Sequence, residues 1–489
     1  MNREKKNSIA VNIFHLFYST AFSSGLNAVA LILLAGYLQT TQYGLFSVAL
    51  AFSMIMCYFT DAGLSHIVLR EGAKQVVSLP ALLSSYIKFR SVLLVLTFLL
   101  GFLTIHLMNS GQKELIMTSY LLIIPMVTGV ALQSIGMTFF RLIEKMEYLG
   151  FIRMISAVLL VGSIGIGMLF KLHPFLVITF YGGSYLAAGI FGMMMMKKFV
   201  AIQLHHPFHK GLFQNIGAFT VSGLLFVLLP QLGPIVLEKT ITLAEVGLFA
   251  VAYRIPQALQ QIPFVVTGAY APVLFKHFHG KRLDSHFEQL NTQLKIMGLI
   301  GMLMTIPFLY LSDFIVSLFF GEEWARAALP LSILALMLTF QSVNTALADG
   351  LTTVDKQTSR TLVQLVIVGI GIVLYMWLSR SYGVVGAAVA GMSLEALALI
   401  GFWLFTPERW AILRQTLLPY FSIFFISLWS IKVLLGDSPW IAMMIHLTVT
   451  LSIVVIDKDL RTKVIGIVNL KKRKIGHVKR IEKQEREVK

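Results

Sequence analysis

Apolar runs of about twenty residues or more, parted by short polar breaks, follow one another along the whole chain. A membrane-spanning helix needs about 20 such residues. Barrel strands would instead give short alternating segments. The runs here are unbroken, so the fold class is all-α, a polytopic membrane protein. The pattern predicts 14 spans, at roughly 9–38, 43–69, 88–108, 115–140, 151–170, 174–196, 212–237, 244–275, 293–320, 326–350, 361–378, 383–406, 415–435 and 439–456. The first is long for one crossing and is expected to tilt or to begin at the interface. It is also too long for a signal-peptide core and lacks a small-residue cleavage pattern, so it reads as a retained helix.

Six residues recur almost unchanged 203 positions apart. Gly44–Ala49 reads GLFSVA and Gly247–Ala252 reads GLFAVA. At the same offset Asn12-Ile13 falls on Asn215-Ile216, and Ser19 on Ser222. A second register, 208 apart, sets Gln133-Ser134-Ile135 on Gln341-Ser342-Val343. The chain therefore reads as two copies of one six-helix unit, residues 1–200 and 201–410. Two further helices (411–456) and a basic tail (457–489) follow. An even number of helices separates the copies, so 10–197 and 212–406 are expected to superpose about an axis along the membrane normal. In such proteins a transport site lies where the two halves meet.

Composition and charge agree. Hydrophobic residues make up 57% and charged residues 13%, against about 25% charged in soluble domains; mean hydropathy is +0.79. With a cytoplasmic N-terminus, 21 Lys and Arg before the tail fall on inner segments and 5 on outer ones. That is a strong positive-inside bias. The 12 Lys or Arg after Asp457 then lie on the same inner side. Both termini are thus expected to be cytoplasmic. The +17 net charge follows from this bias and is not a nucleic-acid footprint. The tail reads as a solvated end that reinforces topology, or as a segment lying on anionic lipid. Cys57 is the only cysteine, so no internal disulfide can form.

The loops exclude several activities. Outer loops of under ten residues leave no room for the folded domain that a glycan polymerase or ligase needs to hold an acceptor. Inner loops of about 20 residues cannot hold a nucleotide-binding domain, and no G-x-x-x-x-G-K-[ST] occurs. Gly162–Gly167 (GSIGIG) sits within an apolar run and reads as close helix packing through small residues. No carboxylate pair is placed for acid–base work, so no enzyme is expected. His205, His206 and His209 cluster in an inner loop beside Lys197 and Lys198. A solvated loop is the preferred reading over a metal site, and neither metal nor cofactor is expected.

Ionisable residues within spans are costly and so are functional candidates. Arg254 lies about eight residues into the eighth span, roughly 12 Å from its outer end. Gln257 and Gln261 follow at i+3 and i+7, on the same face. Pro256, Pro263 and Pro272 interrupt this span, and Pro230 and Pro234 the seventh. Such breaks are tolerated where they face protein or a wet cavity. Arg254 matches Ala51 of the first copy, so its charge is an asymmetric addition. It either lines a cavity or pairs with a carboxylate such as Glu238. The first span carries Asn12, His15, Ser19, Ser23 and Asn27 within about 120° of one face. The tenth carries Gln341, Asn344 and Asp349. These stripes are interhelical hydrogen bonds or the wall of a shared cavity, which Asn215 joins by the repeat. Asp61 and Glu395 are coupling-ion or gating candidates. Asp61 either forms a cytoplasmic latch with Arg70 or belongs to a structural pair. Lys432 lies outside the repeated part and is expected to snorkel.

Gln42-Tyr43-Gly44-Leu45-Phe46, Asp61-Ala62-Gly63-Leu64 with Arg70-Glu71, and Gly247-Leu248-Phe249 with Ala252-Tyr253-Arg254 form an ordered set. Phe320-Gly321-Glu322 and Gly383 with Gly386-Ala387-Ala388 complete it. Over about residues 10–410 the chain resembles the polysaccharide-transport branch of the MOP flippase superfamily, the Wzx-like oligosaccharide flippases. The resemblance implies a MATE/MOP-like fold of two six-helix lobes about a central cavity. It implies a substrate linked to undecaprenyl pyrophosphate, flipped to the outer leaflet by alternating access for exopolysaccharide or other surface-glycan synthesis. Partners would be membrane lipids and the polymerase and glycosyltransferases of the pathway. Arg254 would then meet the pyrophosphate. The chain departs from that pattern in showing only this one cation deep in the repeated part. A cation-coupled multidrug antiporter of the same superfamily is the second reading, and a glycan polymerase or ligase the third.

Overall fold

The computed structural model describes residues 9–74, 77–203, 205–213 and 216–462. Among them every regular element is helical. In chain order these are α1 (Ile9–Phe59), α2 (Leu64–Ala73), α3 (Leu79–Met108), α4 (Lys113–Leu142), α5 (Met146–Leu169), α6 (Pro174–Lys197), α7 (Ile216–Leu237) and α8 (Leu243–Leu259). They continue with α9 (Gln261–His279), α10 (Leu283–Phe320), α11 (Ala328–Thr353), α12 (Gln357–Phe405), α13 (Arg409–Ile412), α14 (Leu418–Leu435) and α15 (Pro439–Ile456).

Eleven helical stretches among the described residues are long and apolar enough to cross a membrane. Two run far beyond one crossing: His15–Ala73 with 59 residues and Gln357–Phe405 with 49. At 1.5 Å per residue each would extend well past a core about 30 Å thick. Each is broken by residues outside helical geometry. α1 breaks at Gln39 (φ 58°, ψ 175°) and α12 at Gly383 (φ 58°, ψ −139°). These breaks fall where the hydrophobic pattern places span boundaries. α7, with Pro230 and Pro234 inside it, contributes the shorter apolar helix Gly223–Leu237.

Repeat-related positions are built differently. Gln39 plus 203 is Thr242. There the second copy starts α8 afresh, with a capping box: Thr242 Oγ1 accepts from the Glu245 N–H and Glu245 Oε2 accepts from the Thr242 N–H and hydroxyl. Such a box satisfies orphan donors of a helix start. The predicted eighth span is interrupted at Gln260, between α8 and α9. Pro263 has no N–H to return to the Leu259 carbonyl. Gln261 therefore opens α9 and is exposed, so the one-face relation to Arg254 and Gln257 does not run through an unbroken helix.

The helices gather into two compact units, each assembled from separate stretches of chain. The first holds the chain to Ala258, Asp313–Leu331 and Gln364–Leu394. Leu64, Ile67, Tyr86, Phe139, Phe140, Leu149, Ile152 and Met196 form a buried cluster within it. α4 and α6 touch there backbone to backbone: a Cβ on Gly129 would lie 2.3 Å from the Leu186 nitrogen, and one on Gly189 2.5 Å from the Gly129 oxygen. Close packing through small residues thus occurs on this seam. In the GSIGIG run, Gly167 packs closely, its Cβ position 2.8 Å from Val177 Cγ2, whereas Gly162 and Gly165 would meet nothing within 4 Å, so the expected packing role holds for Gly167 and is corrected for the other two. The second unit holds Leu259–Ser312, Ser332–Val363 and the described chain from Glu395 on. Its cluster joins Met302 and Ile306 of α10 with Tyr420 and Phe424 of α14 and Ile453 of α15.

Candidate functional site

α8 carries Arg254 on its fourth turn. The helix begins at Leu243, so the guanidinium's Cα lies about 17 Å from the helix start, deeper than the sequence estimate. Arg254 is half-buried and donates from Nη1 to Gln257 Oε1 at 2.7 Å. It lies within electrostatic reach of the Tyr43, Tyr181 and Tyr185 hydroxyls. No carboxylate among the described residues forms an ion pair with it. The alternative partner, Glu238, is engaged elsewhere: it accepts from Gln112 Nε2 at 2.6 Å and pairs with Lys239 at 2.8 Å. The tyrosines belong to a buried aromatic group. Tyr43 meets Trp324 edge-on at 5.6 Å and Tyr181 meets Phe46 edge-on at 5.0 Å. Phe46 lies in the repeated segment and Tyr43 directly precedes it, which was the available signal. Tyr181 and Tyr185 look like any interfacial tyrosines until α6 is placed against α1.

The polar stripe of α1 is partly visible. Asn215 lies outside the described residues, and of Asn12 only the helical backbone is described. His15 is half-buried, and Ser19 and Ser23 are buried. Ser19 faces Gly150 of α5, where an added Cβ would lie 3.0 Å from the serine hydroxyl. One turn on, Arg153 Nη1 donates to Thr20 Oγ1 at 2.5 Å. Arg153 sits eight residues into α5 because that helix starts at Met146, five residues before the apolar run.

Arg90 is a larger correction. α3 starts at Leu79, so Arg90 is inside a helix and only 1% exposed. It pairs with Asp61 and donates to Tyr86, Thr60 and Ser134. Asp61 accepts from Ser65 as well. Arg254 is therefore not the only cation deep in the repeated part. Asp61 takes Arg90 rather than Arg70, and Arg70 lies 3.4 Å from Glu71. Glu71, nearly buried, also takes Lys74 at 2.7 Å and His209 at 3.0 Å. The histidine loop is docked rather than solvated: the His209 N–H donates to Ser85 and Lys88 donates to the His206 carbonyl. No metal-binding cluster occurs among the described residues.

In the second unit, Asn344 Nδ2 donates to the Glu395 carboxylate at 2.8 Å and to its carbonyl at 2.9 Å. Glu395 has no cationic partner among the described residues. Gln341 Oε1 and Asn344 Oδ1 are buried and accept no hydrogen bond from described residues. Asp349 lies 3.8 Å from Arg360.

The model of the family described as polysaccharide biosynthesis protein matches residues 9–278, more than half of the chain. The chain belongs to the polysaccharide biosynthesis protein family. No curated protein sequence matches it. Among solved structures, the lipid II flippase MurJ in an inward closed conformation is similar with a TM-score of 0.65 and 14% identity, over 92% of this chain and 99% of that one. An inward-facing multidrug resistance MATE family transporter of the MOP superfamily is similar with a TM-score of 0.64 and 11% identity, over 81% and 96%. A MOP superfamily transporter from Pyrococcus furiosus is similar with a TM-score of 0.56 and 15% identity, over 83% and 96%. At such identities the likeness concerns the fold: the chain is a multi-pass helical protein with the fold of MOP transporters.

Proposed function

We propose that the protein is a flippase that moves a lipid-linked oligosaccharide, with undecaprenyl pyrophosphate as carrier, from the inner to the outer leaflet of a bacterial cell membrane. It does so by alternating access for exopolysaccharide or other surface-glycan synthesis. It crosses the membrane 14 times, the two broken helices each counting twice and α7 once. Residues 1–200 and 201–410 are its two lobes, 411–456 an appended helix pair and 457–489 a cytoplasmic tail. The polymerase and glycosyltransferases of the pathway are its working partners.

The observation that carries this reading is Arg254: a guanidinium inside a helix, set among tyrosine hydroxyls and Gln257, with no ion-paired carboxylate among the described residues. A cation left uncompensated at that depth favours an anionic ligand. The planar fork of arginine matches phosphate oxygens. Tyrosine, glutamine and asparagine side chains suit the hydroxyls of a sugar. Arg153, which donates to Thr20, is the proposed second cation that the family pattern calls for. Gln257 and His15 are further proposed substrate contacts in the first unit, Gln261, Gln341 and Asn344 are proposed ones in the second, and Glu395 is the proposed coupling carboxylate. Asp61 remains a gating candidate through its bond to Arg90.

Arg254→Ala is expected to reduce surface glycan to background while membrane protein level stays near normal. Arg254→Lys is expected to keep part of the activity, since charge remains and the fork is lost. Full export in Arg254→Ala at matched expression removes this residue from the site. A cation-coupled multidrug antiporter is the second reading, favoured by the Glu395 carboxylate, which has an amide partner but no cationic one among the described residues. Drug resistance conferred by the wild type, without any effect of its deletion on surface glycan, decides for it.

A further inference from the structure

The two copies of the repeated segment touch each other, glycine to backbone. A Cβ on Gly44 would lie 1.9 Å from the Leu243 oxygen and 3.2 Å from the Gly247 nitrogen. A Cβ on Gly247 would lie 2.1 Å from the Thr40 oxygen and 3.2 Å from the Gly44 nitrogen. The contact is reciprocal under the repeat, because Thr40 plus 203 is Leu243 and Gly44 plus 203 is Gly247. Each glycine thus seats on the carbonyl four residues before the other. The clash distances fall far inside van der Waals contact and involve backbone, so no rotamer change would relieve them. Gly25 and Gly36, earlier on α1, have nothing within 4 Å of their Cβ positions, so along α1 the close approach is at Gly44.

We propose that this glycine pair is the extracytoplasmic gate of the transport cycle, a seam that seals over Arg254 and must part to release substrate outward. The proposal rests on the flippase reading and its topology, and three observations support it. The seam lies directly above the candidate site: Gly247 precedes Arg254 by seven residues, about 10 Å along α8, and Tyr43, beside Gly44, is electrostatically coupled to Arg254. A break stands immediately before each contact carbonyl. Gln39, in a left-handed conformation that only glycine adopts without strain, precedes Thr40, and the capped start of α8 at Thr242 precedes Leu243. Strained residues of this kind cluster at moving parts. Finally, backbone-to-backbone packing through small residues drives helix contact in membranes without interlocked side chains. Two such surfaces can part and close again with no side chain to unthread.

The test uses the full chain with Cys57→Ser, so that introduced cysteines are the only thiols. Ser47→Cys reports the seam: Ser47 is fully buried, one turn past Gly44. A membrane-impermeant maleimide is added to intact cells. Gly44→Ala and Gly247→Ala are each expected to raise the labelling rate about tenfold and to lower surface glycan severalfold, while Gly36→Ala leaves both unchanged. Labelling and export equal to the parent in both variants, at normal membrane level, overturn the gate. If the alanine variants fail to accumulate, Thr40→Cys with Leu243→Cys decides. A reducible bifunctional thiosulfonate bridging these positions is expected to stop export, and dithiothreitol to restore it. Undiminished export in bridged protein overturns the gate. Because labelling does not depend on the cargo, a seam that opens in the alanine variants of a protein that exports no glycan retains the gate and rejects the flippase reading.

Discussion

Arg90 and Arg254 are both guanidiniums inside helices, yet they call for opposite expectations. Arg90 is closed in by a carboxylate and three hydroxyls, so its charge is spent on the fold. Arg90→Met leaves Asp61 beside an apolar side chain. Breaking a buried pair from one side costs about 3–5 kcal/mol, so the variant's level in the membrane is expected to fall sharply. Adding Asp61→Asn should recover part of it. A level unchanged in Arg90→Met would mean that the pair contributes nothing to stability. Arg254 has no such partner, and its loss should spare the fold and stop transport. Glu395 stands between these cases, with an amide partner and no cationic one among the described residues. Glu395→Gln preserves the hydrogen bond geometry and removes the charge. Export is expected to drop severalfold at normal protein level, and normal export would exclude Glu395 from coupling.

At the scale of elements, the breaks in α1 and α12 have different chemistry. Gly383 at φ 58° and ψ −139° occupies a region open to glycine. Gly383→Ala is expected to cost about 1–3 kcal/mol. Gln39 holds a comparable conformation without being glycine, so Gln39→Gly is expected to raise thermal stability. Unfolding temperatures in detergent should therefore move in opposite directions, and two shifts of the same sign would refute the strain argument. The end of α15 is fastened by Lys295 of α10, which lies 2.9 Å from Asp457 and 2.7 Å from Asp459, with the Tyr420 hydroxyl donating to Asp457. Burial pushes the Asp457 carboxyl up. The Lys295 ammonium, the Leu460 N–H and Tyr420 outweigh that and hold it below its ordinary value. A carboxyl lowered by folding stabilises fully above its unfolded value, about pH 4, and the gain is lost as pH falls through the folded value. The stability gap between wild type and Asp457→Asn should be constant at neutral pH and close below about pH 4. A gap independent of pH in that range would mean that the charge is not what fastens the helix.

For the whole molecule, the distribution of Lys and Arg makes a definite topological claim. Reporter fusions after Lys113, Lys239 and Arg380 should report the outside, and fusions after Lys198 and Lys458 the inside. A cytoplasmic signal after Lys239 would break the two-lobe arrangement and, with it, the outward placement of the glycine seam. The all-helical class and most span boundaries were legible because period and length report burial directly. The candidate site was legible only in part. Arg254 could be picked out because it interrupts an apolar run. Arg90 and Arg153 could not, because each lies near the polar end of its span, where hydropathy alone cannot tell a helix's first turns from a loop.

Hydrophobic length, the charge bias and the duplicated segment are properties of the chain itself, since each records what the bilayer and the repeat require of residues in order. They determined the membrane class, the helices and the family. Partner choice was decided by tertiary structure, because an ion pair or a backbone contact depends on which helix lies alongside, and sequence spacing carries no such information. Asp61 meets Arg90 across 29 positions, and Glu71 meets His209 across 138. The repeated glycines were visible as a pattern from the start. Only the packing of α8 on α1 revealed that the two copies of the pattern seat on each other.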